Sequence, residues 1–294
     1  MKRRCFLTQV VTLGLLPSAN LAAIEQTEWR GRAFGTDVRV TLTGETQIAN
    51  RVIQDIPKIL YDIETRFSLF LPNSSLTRLN RDSFLQADPL VLQLLQEVAT
   101  AHILTNGLFD PTVQRLWNAY ALGLPIQDAR ETLGWDRVTI FPDGLVRLAP
   151  GQELTLNGIA QGFASDMIKQ HIHIPGIVSA LIDIGEQVAF GRSQKLAIAD
   201  PEHGIMGQRT LTDGAIATSS PTALSLGMTT HIIAPDGRQP VWSTVSIEAP
   251  SATLADALST AAVFMNIEEL RDLMKRCELR RITVIDRAGQ LRTI

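Results

Sequence analysis

Cysteine is nearly missing from this chain, with only Cys5 and Cys277 in 294 residues. Two widely separated thiols exclude a cysteine metal site, which needs several thiolates in one place. If the N-terminal segment is removed, Cys277 is left alone and no disulfide can form within the mature chain. Any metal must then be held by oxygen. Excess charge is missing as well: the formal net charge is −3. Outside the N-terminus the basic residues cluster only as the short pairs Lys275-Arg276 and Arg280-Arg281, without interleaved aromatics. That pattern argues against a nucleic-acid partner. Low-complexity linkers are absent too. What remains is a chain that is 45% hydrophobic and long enough to bury a full core, as one large domain or two intimately packed halves.

Residues 1–23 read as an export signal. They have a basic Lys2-Arg3-Arg4, an apolar stretch from Cys5 to Leu16, a breaking Pro17 and small residues at Ala22-Ala23. Arg3-Arg4 followed by Phe6-Leu7 looks like a twin-arginine signal, the route for proteins exported already folded. The apolar stretch is short and interrupted by Thr8, Gln9 and Thr12, whereas a bilayer span needs about 20 apolar residues. The expected location of residues 24–294 is therefore the periplasm, and an uncleaved signal would leave the chain at the inner membrane.

The remaining chain alternates helix and short strand. Arg32 to Leu42 alternates as a strand, and Ile48 to Phe67 places apolar residues at helical spacing. Asp88-Pro89 reads as the cap and first residue of another helix. Val138 to Phe141 and Leu145 to Leu148 flank a Pro142-Asp143-Gly144 turn, and Ile232 to Ala234 is expected as a strand entering a similar turn at Pro235-Asp236-Gly237. Hairpins mixed with helices favour an α+β fold over a doubly wound parallel sheet.

Four segments carry chemistry. In LTLNGIAQGFASD, from Leu154 to Asp166, an apolar strand closes at Asn157-Gly158 and a helix opens with Gly162 in its first turn. Such a start offers unpaired N–H groups and a positive dipole end to a phosphate, although an ordinary turn has the same pattern. Asp256 and Thr260 lie four apart in a helical segment, so carboxylate and hydroxyl share one face, as a hard cation such as Mg²⁺ prefers. The same two residues also suit a helix-end Asp and a Thr bonding its own backbone. His231 can act as proton acceptor or leaving-group contact, or can be a hydrogen-bonded strand His. Asp110-Pro111 suits a helix N-terminus, with Thr112 adding a hydroxyl.

Taken together, FGTDV (34–38), TNGLFDPTV (105–113), LNGIAQGF, THIIAPDG (230–237) and ADALSTA (255–261) resemble, in order, the motifs of the ApbE family of flavin transferases. The resemblance runs from about Trp29 to the C-terminus. It implies a duplicated, T-fold-like architecture and transfer of FMN from FAD to a Ser or Thr of a target flavoprotein, with AMP leaving. It further implies Mg²⁺ on the FAD pyrophosphate, held by Asp256, Thr260 and a backbone carbonyl near Gly158. FAD would lie against Phe34, Leu108, Phe109, Asp110, Thr155, Gln161 and His231, with His231 and Asp256 the catalytic residues. Ser68, Ser74 and Asn80 would sit near the isoalloxazine entrance. Cys5 precedes the apolar stretch, so it is badly placed for the lipidation site expected of many exported members. The acceptor of an exported enzyme of this kind would be a respiratory flavoprotein, membrane-associated in some cases.

The chain departs from the family pattern at several of these places. Thr155 stands where Asp is usual, Gln161 where Lys or Glu is usual, and Glu186 replaces the second Gly of a turn. Phe34 replaces Met, Ser220 replaces Gly, and Ala234 begins a shortened turn. Each lost charge at 155 and 161 weakens FAD contacts by about 1–3 kcal/mol if those groups are buried. Two other readings use the same site: a hydrolase splitting FAD into FMN and AMP, and a flavin-binding protein without chemistry.

Overall fold

The computed structural model describes residues 24–227 and 229–294, so the export-signal expectation lies outside the described residues. The segment expected as a single strand from Arg32 is a hairpin. Ile24–Ala33 (β1) and Thr36–Glu45 (β2) pair in antiparallel register from Ile24 opposite Glu45 to Ala33 opposite Thr36. Phe34 and Gly35 both adopt positive φ, 52° and 75°, the pair of left-handed residues that a two-residue hairpin of this hand requires. The helix expected from Ile48 to Phe67 is two helices, Thr46–Ile53 (α1) and Ile56–Phe67 (α2). Pro57 lacks the N–H that would continue α1, and in the second position of α2 it has no helical bond to lose.

Ser75–Asp82 (α3), Phe84–Gln86 (β3) and Pro89–Leu104 (α4) follow. Asp88 caps α4 as expected, its carboxylate accepting from the N–H groups of Leu90 and Val91. Beyond the helix, Asn106 and Gly107 take φ of 52° and 83°, and their N–H groups return to Ile103 and His102. Gln114–Leu122 (α5) and Gln127–Arg130 (α6) form a satellite around Leu116, Ala119 and Ala129. Thr139–Ile140 (β4) and Leu145–Arg147 (β5) make the expected short hairpin, completed into a three-stranded sheet by β3.

Ala160–Ile172 (α7) leads into Ile177–Asp183 (β6) and Gln187–Phe190 (β7), and then the hairpin Gln194–Asp200 (β8) with Gly204–Leu211 (β9). Next come Gly214–Ser219 (β10), the two-residue pair Ser225–Leu226 (β11) and Thr229–Thr230 (β12), and Thr244–Ala249 (β13). Ala252–Ala262 (α8), Ile267–Arg276 (α9), Arg281–Ile285 (β14) and Leu291–Thr293 (β15) close the chain. One eight-stranded sheet runs β1-β2-β6-β7-β10-β13-β14-β15, and every neighbouring pair in it is antiparallel. The α+β expectation holds.

Two strand expectations fail near the site. Leu154 to Leu156 joins no ladder; instead the Asn80 side-chain amide clamps Leu154, donating to its C=O and accepting from its N–H at 2.8 Å each, and the Thr155 N–H donates to Pro111 C=O. Side-chain and loop partners have taken the place of a neighbouring strand. Ile232 to Ala234 is likewise no strand. The ladder ends at Thr230, and the chain bends before the turn at Gly237, which has φ 83°.

Helix α8 is the hub. Its Ala252, Ala255, Ala257, Leu258, Ala261 and Ala262 have no exposed surface, because the helix is packed against β10, β13, α7 and α4. A helix buried nearly all round needs small residues where neighbours come closest. At the crossing with α7 the small residue is Gly162, where a Cβ would fall 2.3 Å from Ala252 O.

Candidate functional site

The N-terminus of α7, the cavity-facing side of α8 and the β6–β7 turn enclose a cavity of about 720 Å³. Asp256, 4% exposed, points from α8 toward the start of α7, and its Oδ2 accepts from the Gly162 N–H at 3.0 Å. The carboxylate thus sits at the positive end of a helix other than its own. The first turn of α7 therefore spends this amide on Asp256, and the Ala160 and Phe163 N–H groups bond to Leu156 and Ile159 carbonyls. This helix start is a seat for a carboxylate more than an open phosphate cradle. Burial pushes the Asp256 carboxyl up to about 7, against the lowering effect of the Gly162 amide.

Thr260 lies one turn further along α8, against Gly158, where a Cβ would come 2.8 Å from Thr260 Oγ1. Gly158, Asp256 and Thr260 therefore meet at the cavity wall. Ser259, between the two site residues, hydrogen-bonds Ser219 of β10 at 2.7 Å and fixes α8 against the sheet.

The cavity lining includes four acids, Asp110, Glu186, Asp200 and Asp256, but neither lysine nor arginine among the described residues. Glu186 is raised well above the ordinary range by burial first and by the Asp256 charge second. Asp200 goes the other way: burial pushes it up, but bonds from the Ser243 and Thr244 hydroxyls and from the Glu202 and His203 amides outweigh that and hold it below its usual value. His231 lies at the exit of β12. Its Nδ1 is 3.2 Å from Pro221 O and 3.1 Å from Leu224 O. Both neighbours are carbonyl oxygens, so Nδ1 carries the hydrogen and Nε2 is the basic nitrogen of the neutral ring.

The pattern of the ApbE family matches residues 34–285. The chain belongs to the ApbE family. It is 24% identical over 302 aligned positions to the FAD:protein FMN transferase of Vibrio cholerae, covering 90% of this chain and 89% of that protein. It is 22% identical to the Escherichia coli K12 protein of the same name, with 88% and 84% covered. Among solved structures, the flavin transferase ApbE from Vibrio cholerae superposes with a TM-score of 0.80 at 22% identity, over 92% of this chain and 97% of that one. The apo flavinyl transferase ApbE of Pseudomonas stutzeri gives 0.79 at 22% identity, over 94% and 96%.

In this ApbE-family chain Leu108, Phe109, Asp110, Thr155, Gly158, Gln161, His231, Asp256 and Thr260 all line the one cavity. Phe34 is not part of that lining. It occupies the β1–β2 turn, and its N–H donates to the Glu64 carboxylate at 2.8 Å. Thr112 is fully buried behind Asp110, donating to Asp110 Oδ1 at 2.6 Å and accepting from the Gly134 N–H. Asp110 also accepts from the Thr112 and Trp135 N–H groups, so its carboxylate braces the loop that presents Phe109. Ser74 caps α3, and Asn80 is the clamp on Leu154. Neither they nor Ser68 line the cavity.

Sequence reasoning missed Trp117, Asp200 and the site position of Glu186. Asp200 ends a strand before Pro201 and gives no spacing signal. Glu186 was visible as a charged residue in a glycine-rich turn, and only the fold brings that turn to Asp256.

The donors suit a small divalent cation. Asp256 and Glu186 are buried acids with no ion-pair partner among the described residues, and Thr260 Oγ1 lies close to Gly158. Such hard oxygen ligands match Mg²⁺ chemistry. No group of three His, Cys, Asp or Glu residues fit to hold a metal occurs among the described residues, so a cation here draws on hydroxyl and carbonyl oxygens as well.

Proposed function

We propose that this chain moves FMN from FAD to a Ser or Thr hydroxyl of a target flavoprotein, releasing AMP. One observation carries the reading furthest: the cavity combines apolar and aromatic side chains with four carboxylates and, among the described residues, no lysine or arginine. Phe109, Leu108 and Trp117 suit a flavin ring, and an anionic pyrophosphate could enter only together with a cation. A divalent cation held by Asp256, Thr260 and the Gly158 carbonyl supplies charge neutralisation on the phosphates.

The protein groups then do three things around one bond exchange. Asp256 is held at the wall by the Gly162 amide, and Thr260, one turn along the buried α8, lies close to Gly158, so both present oxygen from a fixed helix. The acceptor oxygen bonds to the FMN phosphorus as the bond from that phosphorus to the AMP phosphate breaks. His231, oriented through Nδ1 by two carbonyls, takes the acceptor hydroxyl proton on Nε2. Phe70, 85% exposed at the rim, meets the incoming acceptor segment. We place the working protein in the periplasm, on the reading of residues 1–23 as an export signal, with a respiratory flavoprotein as the acceptor.

The test is incubation with FAD, Mg²⁺ and a Thr-bearing acceptor domain of a flavoprotein. FMN mass on the acceptor with equimolar AMP supports transfer. AMP with free FMN and an unlabelled acceptor identifies a hydrolase instead, and bound FAD without either product identifies a flavin-binding protein.

A further inference from the structure

Glu186 stands in the turn between β6 and β7, where its C=O accepts from the Ile184 N–H. Its side chain is 6% exposed and lines the same cavity as Asp256 and Thr260. Oε2 accepts from the Thr218 N–H at 3.2 Å, and Oε1 has no hydrogen-bond partner among the described residues. Asp256 repeats the arrangement: Oδ2 is held by the Gly162 amide, and Oδ1 has no such partner. Each carboxylate is thus anchored through one oxygen by a backbone amide, and each leaves the other oxygen at the cavity wall. Neither forms an ion pair with a Lys, Arg or His among the described residues.

Two buried carboxylates on separate elements, rigidly held and lacking a counter-charge, are costly as anions unless they take up protons or a positive charge lies beside them. Their surroundings favour a metal ion over a side chain. Oxygen-bearing side chains come from the β6–β7 turn through Glu186 and from α8 through Asp256 and Thr260, and Gly158, in the loop before α7, lies against Thr260. Gln161 fills the remaining side, since a Cβ on Gly185 would lie 3.1 Å from its Nε2, and that amide brings no charge. Where the family pattern carries charge at positions 155 and 161 and glycine at 186, this chain has two neutral residues and one acid.

We propose that Glu186 is a further protein ligand of the divalent cation, and that with it the site takes the cation before any nucleotide is bound. The inference rests on the reading of Gly158, Asp256 and Thr260 as the cation site. Two protein carboxylates and a hydroxyl neutralise and partly desolvate a Mg²⁺-sized ion by themselves, whereas one carboxylate leaves most of that work to substrate phosphates.

The experiment is a Mn²⁺ titration of the full chain in the absence of FAD, followed by the electron paramagnetic resonance signal of free Mn²⁺. Wild type, Glu186→Gln, Glu186→Gly and Asp256→Asn are compared after circular dichroism confirms that each is folded. The expected result is one bound equivalent in wild type, affinity at least tenfold weaker in both Glu186 variants, and no detectable binding in Asp256→Asn. If Glu186→Gln cannot fold, Glu186→Gly is decisive, because it removes the buried charge and restores the residue of the family pattern. Unchanged Mn²⁺ affinity in the Glu186 variants, with binding lost in Asp256→Asn, overturns the role of Glu186 and leaves the cation site standing. A wild-type chain that takes up no Mn²⁺ in the millimolar range overturns both, and neither outcome depends on whether FMN is transferred.

Discussion

Replacing Gly162 by alanine should damage stability and the site together. A Cβ there would lie 2.3 Å from Ala252 O and 2.8 Å from Asp256 Cβ, against 3.4 Å for the start of ordinary contact. Both neighbours belong to a buried helix with no slack, so α7 and α8 must part by about 1 Å, an overpacking cost of about 1–3 kcal/mol. The bond from the Gly162 N–H to Asp256, now 3.0 Å, would open with that movement. An amide left unsatisfied adds about 1–3 kcal/mol, and the better helix propensity of alanine returns about 1 kcal/mol. The net expectation is about 3 kcal/mol, which lowers Tm by about 6 °C in a chain of this size. Differential scanning calorimetry reads the shift, and Mn²⁺ binding reads the displacement of Asp256. Gly35→Ala is the control. That glycine has open space around it and a φ of 75°, so alanine there costs only the left-handed strain of about 1 kcal/mol. A Gly162→Ala protein that melts within about 1 °C of wild type and binds Mn²⁺ normally would refute the close-packing account.

Asp256 also makes stability depend on pH when divalent cations are removed. Its folded pKa is raised from 3.8 to about 7, so the favoured neutral form contributes fully at low pH and the contribution is lost as pH rises through about 7. Melts in a chelator should fall between about pH 4 and pH 7, a change of about 4 kcal/mol at most. Asp256→Asn should reduce that slope while abolishing transfer, the remainder coming from the buried Glu186 carboxyl, which is raised as well; a variant as pH-sensitive as wild type would contradict the assignment. His231→Gln should slow transfer by a factor of about 10² or more, a larger effect than its loss of FAD affinity, because it removes the basic Nε2. Single-turnover kinetics with equilibrium FAD binding separate the two effects, and an unaltered transfer rate would remove His231 from the proton path.

How much of this was legible depends on how local each signal was. Asp88 capping α4 and the Asp256–Thr260 spacing on α8 are contained within a few residues, and each appears in the fold as read. The break between α1 and α2 was equally local, yet apolar spacing continuing past Pro57 concealed it. The alternation after Arg32 ran on across Phe34-Gly35 because phenylalanine seldom takes positive φ, and only the family resemblance marked a turn at Phe34-Gly35-Thr36. Leu154 to Leu156 is apolar like a strand but is held by Asn80, a partner 74 residues away. Glu186 and Asp256 line one cavity only because β7 pairs with β10 and β10 packs against α8, an arrangement no short window of sequence contains.

The burial of α8 has a consequence for motion. Asp256 and Thr260 ride on a helix flanked by the sheet on one side and by α7 and α4 on others, so no small fluctuation frees them separately from the core. Amide hydrogens of Ala255 to Ala262 should exchange only when the whole domain opens, while those around Phe70 and Leu224, both exposed at the cavity rim, exchange through local excursions. The two sides of the cavity therefore keep different time: a wall that holds still for phosphate chemistry, and a rim free to rearrange around each acceptor that arrives.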